Sequence, residues 1–188
     1  MEQRAWGVPD AVLLPDGRVR IYLVESPVEG RCTEKIATYI SNDGISFTKE
    51  PGWRLENGYV DTEVLRAANG SWVMILADIG CTSDGNQKLF VSESADGLTW
   101  STPQVLTGRG NSKLDPTGYE VAPDQFRIYY ATGGNGPGQF GNIERATLTI
   151  GKQQFANPKP PKKITCKKGK KQKIIVAFKC PPGTKQVR

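Results

Sequence analysis

The sequence predicts an all-β protein built from tandem four-stranded sheets. Three observations carry that prediction. Turn formers are abundant, with 21 Gly and 13 Pro in 188 residues and 37% hydrophobic content, which suits strands and turns more than helices. No stretch shows a helical period of apolar residues. The chain also repeats itself: one hairpin plan begins at residues 8, 61 and 115, at spacings of 53 and 54. A fixed long period of this kind decides the architecture before any single element does.

In the first copy, residues 8–23, apolar strands flank the turn signal Pro15-Asp16-Gly17. In the second, residues 61–76, the turn is Asn69-Gly70, the strongest short hairpin signal. The third, residues 115–130, reads Asp-Pro-Thr-Gly-Tyr-Glu-Val-Ala-Pro-Asp-Gln-Phe-Arg-Ile-Tyr-Tyr. In register, Val19, Trp72 and Phe126 coincide, as do Ile21, Met74 and Ile128, and Tyr22, Ile75 and Tyr129; Arg20 matches Arg127.

Each hairpin is followed by another strand pair. Ile36–Ile40 leads into Ser41-Asn-Asp-Gly-Ile-Ser-Phe47, and Leu89–Ser92 into Ser94-Ala-Asp-Gly-Leu-Thr-Trp100. In these two blocks Asp43 or Asp96 can accept backbone N–H groups two or three residues on. Gly44 or Gly97 supplies positive φ, and Phe47 or Trp100 anchors the next strand. In the third unit Ile143–Thr149 is followed by Gly151 and Phe155, where the block has decayed. Four-stranded units in tandem, unable to bury their faces alone, are the signature of a β-propeller.

About four to eight blades close a propeller, and three are visible here. Blades missing upstream of Met1, association of copies as a homodimer, or a capped open stack would each reconcile the two; truncation is the simplest. The domain reading is blades over 1–155, a Pro/Lys linker over 156–163, and a basic tail over 164–188. Within the tail, Ile164–Lys168 and Lys173–Cys180 read as a small hairpin. Cys166 and Cys180 would clip its ends, closing a 15-residue loop worth about 3 kcal/mol in the chain-entropy model.

Residues 157–188 hold 11 Lys/Arg and no Asp/Glu, which leaves 14 Lys/Arg against 19 Asp/Glu in the body, a net of −5. An acidic body carries a basic tail. Four cysteines, an even number, point to an oxidising compartment. No apolar h-region follows Met1, so a secretion signal would lie upstream or have been removed. No run of about 18 apolar residues suggests a membrane span. His is absent, which excludes His-based catalysis and His metal sites. Without His or a CxxC spacing no zinc site is expected, and no cofactor is called for. The lysines lack the interleaved aromatics of single-strand binders, so nucleic acid is not the expected partner.

The two Ser-Asp-Gly blocks resemble the Asp-box of sialidases and related propellers, Ser-x-Asp-x-Gly-x-Thr-Trp/Phe. On that resemblance Ser41, Asp43, Gly44, Phe47, Ser94, Asp96, Gly97 and Trp100 are structural and lie away from the active face. The hairpin plan resembles Asp-Pro-x-Val-Val-x-Leu-x-Asp-Gly-x-Tyr-Arg-Met-Tyr-Tyr of five-bladed, arabinanase-like glycoside hydrolases, over residues 5–155. The tail resembles lysine-rich Cys-pair tails of secreted bacterial proteins.

The propeller resemblance implies that inner-strand starts, and loops between second and third strands, share one face. It gathers Asp10, Asp61, Glu63, Asp115 and Glu120 near one mouth, with Glu25 and Asp78 at the ends of second strands. Glycoside hydrolysis needs two carboxyl groups, one protonated and one ionised. Asp61 and Asp115 match the family positions; the first copy has Val8 there, with Asp10 two residues on. The plainer reading is that Asp61 and Asp115 cap strand starts. A strict sialidase fits less well, because Phe126-Arg-Ile-Tyr129 only echoes its arginine motif. Cys32 and Cys81 fall in equivalent loops of adjacent units, as a staple or as two separate thiols. Trp6, Trp53, Trp72 and Trp100 read as core rather than sugar platforms.

The expectation is therefore an exported or surface carbohydrate-active propeller, a glycoside hydrolase if active, with a glycan or small sugar as ligand. The alternative is a non-catalytic glycan- or envelope-binding propeller. In either case the basic tail would meet anionic surface polymers.

Overall fold

The computed structural model describes residues 4–26, 32–81, 85–107, 110–133, 141–151, 162–168, 171–177 and 185–187; for 4–7 and for the strands after residue 161, Lys167 excepted, only the backbone is described. All regular structure among these residues is β. The chain divides into two compact units, Met1–Gln153 and Gln154–Arg188.

The first unit holds three antiparallel sheets. The first runs β1 (Arg4–Leu13), β2 (Val19–Ser26), β3 (Lys35–Ser41), β4 (Thr48–Lys49), in that order across the sheet. The second repeats it with β5 (Tyr59–Arg66), β6 (Trp72–Asp78), β7 (Leu89–Ser94) and β8 (Gln104–Val105). The third has β9 (Lys113–Ala122), β10 (Gln125–Thr132) and β11 (Asn142–Thr149). A fourth strand expected after Gly151, through Phe155, lies outside the described residues. The first strands touch one another, β1 against β5 and β5 against β9. This is the arrangement expected of part of a propeller, with inner strands around a shared axis.

Strand alternation builds the core. Tyr22 and Val24 of β2 pack with Trp72, Met74 and Leu76 of β6. The other face of β6, Val73 and Ile75, packs with Phe126 and Ile128 of β10. Every residue of β6 is buried, because sheet two is covered on both sides. That is why Trp72–Ala77 reads as an unbroken apolar run rather than an alternating one. Each such side chain contributes about 1.5–3 kcal/mol when fully buried. Arg127 and Tyr129, on the far face of β10, are only half-buried.

The second unit is one sheet of β12 (Lys162–Lys168), β13 (Lys171–Ala177) and β14 (Lys185–Val187), in the order β13-β12-β14. The expected hairpin is present as β12–β13, with Lys168 opposite Lys171. A third strand, not foreseen, pairs with the other edge of β12. An isolated hairpin is marginal, and three strands are the minimum for independent stability. The expected Cys166–Cys180 bridge lies outside the described residues.

Candidate functional site

Each inner strand is bulged at the same repeat position. The register shifts in β1 between Trp6 and Asp10, in β5 between Val60 and Glu63, and in β9 between Leu114 and Thr117. A bulge inserts extra residues against the partner strand and re-aims a side chain. Here the inserted residues include Asp61 and Asp115, with φ of 50° and 49°. Asp tolerates this left-handed region better than most residues. Two equivalent aspartates thus leave the pleat in the same way.

They converge on one hollow of about 210 Å³, lined by Val8, Pro9, Asp61, Thr62, Glu63, Asp115, Pro116 and Thr117. All three inner strands contribute to its wall. Asp61 is buried and Asp115 exposed. Burial pushes the Asp61 carboxyl above the ordinary carboxylate range, and the charge of Asp115 adds to this; the Asp115 N–H, which the Asp61 carboxyl accepts, pulls the other way. Thr62 is 2% exposed and its hydroxyl has no hydrogen-bond partner among the described residues.

The other expected acids are occupied. Asp10 Oδ2 accepts the Val64 N–H at 2.8 Å. Glu63 Oε1 accepts the Gly118 N–H at 3.0 Å and the Thr117 hydroxyl at 3.1 Å. These are one stitch used twice: the acid two residues past a repeat start binds the N–H three residues past the next start. Burial raises the pKa of both acids, against the opposing backbone bonds. Glu120 sits away from the hollow. Its Oε2 accepts the Ala68 N–H at 2.7 Å and its Oε1 the Asp124 N–H at 3.2 Å, holding turns of sheets two and three together. Glu25, 2% exposed, accepts the Tyr39 hydroxyl and Lys49 Nζ. Asp78 Oδ1 accepts the Lys88 N–H at 2.9 Å.

The two Ser-Asp-Gly turns share one hydrogen-bond pattern. Ser41 Oγ accepts the Gly44 N–H, and Asp43 Oδ1 accepts the Ile45 and Ser46 N–H groups. Ser94 Oγ does the same for Gly97, and Asp96 Oδ1 for Leu98 and Thr99. Those backbone bonds hold the Asp43 carboxyl well below the usual range. For Asp96 burial pushes upward, and the Thr99 and Leu98 N–H groups outweigh it. Gly44 and Gly97 have φ of 72° and 69°. Phe47 and Trp100 are partly buried.

Cys32 and Cys81 form a disulfide, with Cα atoms 5.9 Å apart, joining the β2–β3 and β6–β7 loops. Trp72 is core, whereas Trp53 lies under Lys49, whose Nζ is 4.2 Å from the ring centroid. Sequence reasoning missed Thr62, Pro116 and Thr117 as wall residues. Their one available signal was adjacency to the repeat starts at 61 and 115.

No protein-family model matches the chain, and no curated protein does. Solved structures do match. An N-acetylgalactosamine deacetylase from F. plautii aligns at TM-score 0.59 and 11% identity, over 78% of this chain and 50% of that one. An endo-arabinase from Bacteroides thetaiotaomicron aligns at TM-score 0.58 and 15% identity, over 78% of this chain and 57% of that one. A fructan 1-exohydrolase from Cichorium intybus aligns at 0.57 and 15%, over 79% and 31%. The likeness is one of fold. The shared feature is an architecture of several antiparallel β-sheet blades. The chain spans between about a third and somewhat over half of each of these structures.

Proposed function

We propose that this chain is a glycan-processing propeller segment whose hollow takes a sugar unit between Asp61 and Asp115. The observation that carries the proposal is the pairing of these two carboxyl groups. They occupy one repeat position, leave the pleat by one device, and face one hollow from unequal environments. Asp61, with its raised pKa, suits the protonated acid; Asp115, exposed on the same hollow, supplies the second carboxyl group. Glu63 braces the wall through Gly118 and Thr117, and the Thr62 hydroxyl has no partner among the described residues.

A second reading, non-catalytic glycan binding, is favoured by Val8. The first repeat lacks the acid that the other two present, and Asp10 is committed to Val64. The disulfide fits an oxidising compartment and hence export. The basic second unit fits anionic surface polymers by charge alone.

The test is a panel of glycosides and polysaccharides, with hydrolysis and calorimetric binding measured on the same preparations. Asp61→Asn and Asp115→Asn should each lower hydrolysis by about 10²–10⁴-fold while binding persists. Binding without hydrolysis in the unmutated chain would select the second reading. Absence of both would sink the proposal.

A further inference from the structure

One contact between the first two sheets has two halves, and each half recurs once, with no counterpart facing it among the described residues, at an opposite end of the repeat array; there Tyr129 shares a side-chain hydrogen bond with its sheet neighbour Tyr119. Between sheets one and two, the Tyr22 hydroxyl donates to the Gly97 carbonyl at 2.6 Å. The Tyr22 ring meets Trp100 edge-on at 6.1 Å. The fit is so close that a Cβ on Gly97 would lie 2.9 Å from Tyr22 Oη and 3.1 Å from Arg20 Nη1. One half of this clasp is Arg20 and Tyr22 on β2. The other is the Ser94–Trp100 turn.

Arg20 and Tyr22 recur as Arg127 and Tyr129 on β10, and the middle repeat has Val73 and Ile75 instead. Strand alternation puts Arg127 and Tyr129 on the face opposite Phe126 and Ile128, which are packed on sheet two. Arg127 Nε is buried and has no hydrogen-bond partner among the described residues. On the same sheet Tyr119, Val121 and Ile143 are 54%, 43% and 73% exposed. The turn half recurs as Ser41–Phe47, with Gly44 at the place of Gly97 and Phe47 at that of Trp100. No described atom lies within 4 Å of a Cβ built on Gly44, and Ile45 is 84% exposed.

We infer that a second copy of this chain docks head to tail, its Arg127 and Tyr129 clasping the Ser41–Phe47 turn of the first. The occupant follows from continuity with the clasp already made inside the chain: one copy presents the missing half of the other at both ends. Tyrosine and arginine are also the residues enriched at interfaces between proteins. Such a contact is heterologous, so it closes a ring or propagates. Two copies supply six sheets, within the about four to eight that close a propeller. The inference does not rest on the glycan reading.

The test is light scattering during size exclusion of the full chain over a range of concentrations. The expected particle is twice the 20.6 kDa of one chain. Tyr129→Ala and Gly44→Asn should each raise the dimer Kd by at least about tenfold; Asn is chosen at residue 44 because it accepts positive φ. Circular dichroism and thermal melting of each variant confirm that it is folded. Mixing the two variants should restore dimer in part, because one junction of a mixed pair has both native halves. A monomer at every concentration would overturn the inference. So would a dimer indifferent to either variant, which would place the contact elsewhere, the second unit included.

Discussion

The disulfide between Cys32 and Cys81 makes the most quantitative prediction. It ties sheet one to sheet two across a sequence separation of 49 residues. In the chain-entropy model a loop of that length removes about 4 kcal/mol of freedom from the unfolded state. The folded state has other holds in the same place. Gly58 donates its N–H to the Glu34 carbonyl at 3.0 Å, and Ile79 donates to the Gly58 carbonyl at 3.1 Å. The double variant Cys32→Ser, Cys81→Ser should therefore keep its fold and lose about 4 kcal/mol, lowering Tm by roughly 8–16 °C for a chain of this size. Urea unfolding followed by tryptophan fluorescence is the assay. The m-value should rise, because the unclipped unfolded chain exposes more surface. Substitution is preferable to reductant, because it acts on this bridge alone. A loss below about 1 kcal/mol with unchanged m would refute the argument.

Two further predictions concern single residues. Gly97→Ala should destabilise more than Gly17→Ala: both positions have positive φ, costing about 1–2 kcal/mol for a Cβ, but only at Gly97 would the new atom meet Tyr22 and Arg20. Equal losses in denaturant unfolding would count against the tight clasp. The second is a pH effect. The Asp61 carboxyl keeps its proton to a higher pH in the folded chain than in the unfolded one, because burial and then Asp115 raise its pKa. The associated stability is complete below the ordinary aspartate pKa and is lost as pH rises through the folded value. Asp61→Asn should flatten that part of the stability profile and stabilise the chain at neutral pH. An unchanged profile would show that Asp61 is not held in a desolvated site.

Much of the fold is legible along the chain because it is written in local, repeated chemistry. Pro15-Asp16-Gly17 and Asn69-Gly70 make the turns they advertise, with Gly17 and Gly70 at φ of 84° and 87°. The Ser-Asp-Gly blocks close on their own backbone within three residues. The site was legible only in outline. Position in the repeat marks Asp61 and Asp115, but it marks Asp10 and Glu63 almost as well. Only the contact between neighbouring inner strands shows that Asp10 and Glu63 bind the N–H groups of Val64 and Gly118. Glu120, near the repeat start in sequence, turns out to brace a hairpin turn.

The β class, the three repeats and their turns follow from the chain alone, because period, alternation and positive-φ residues act over a few neighbours. Packing between the sheets assigns equivalent residues different work. Tyr22 and Tyr129 hold the same repeat position, yet one clasps Gly97 of the next sheet and the other, half-buried, bonds Tyr119 of its own sheet. Asp61 and Asp115 share φ to within a degree, yet one is buried and the other is in water. The physical reason is that burial, hydrogen-bond partner and pKa belong to the surroundings a residue is packed into. Those surroundings come from sheets about fifty residues apart in the chain.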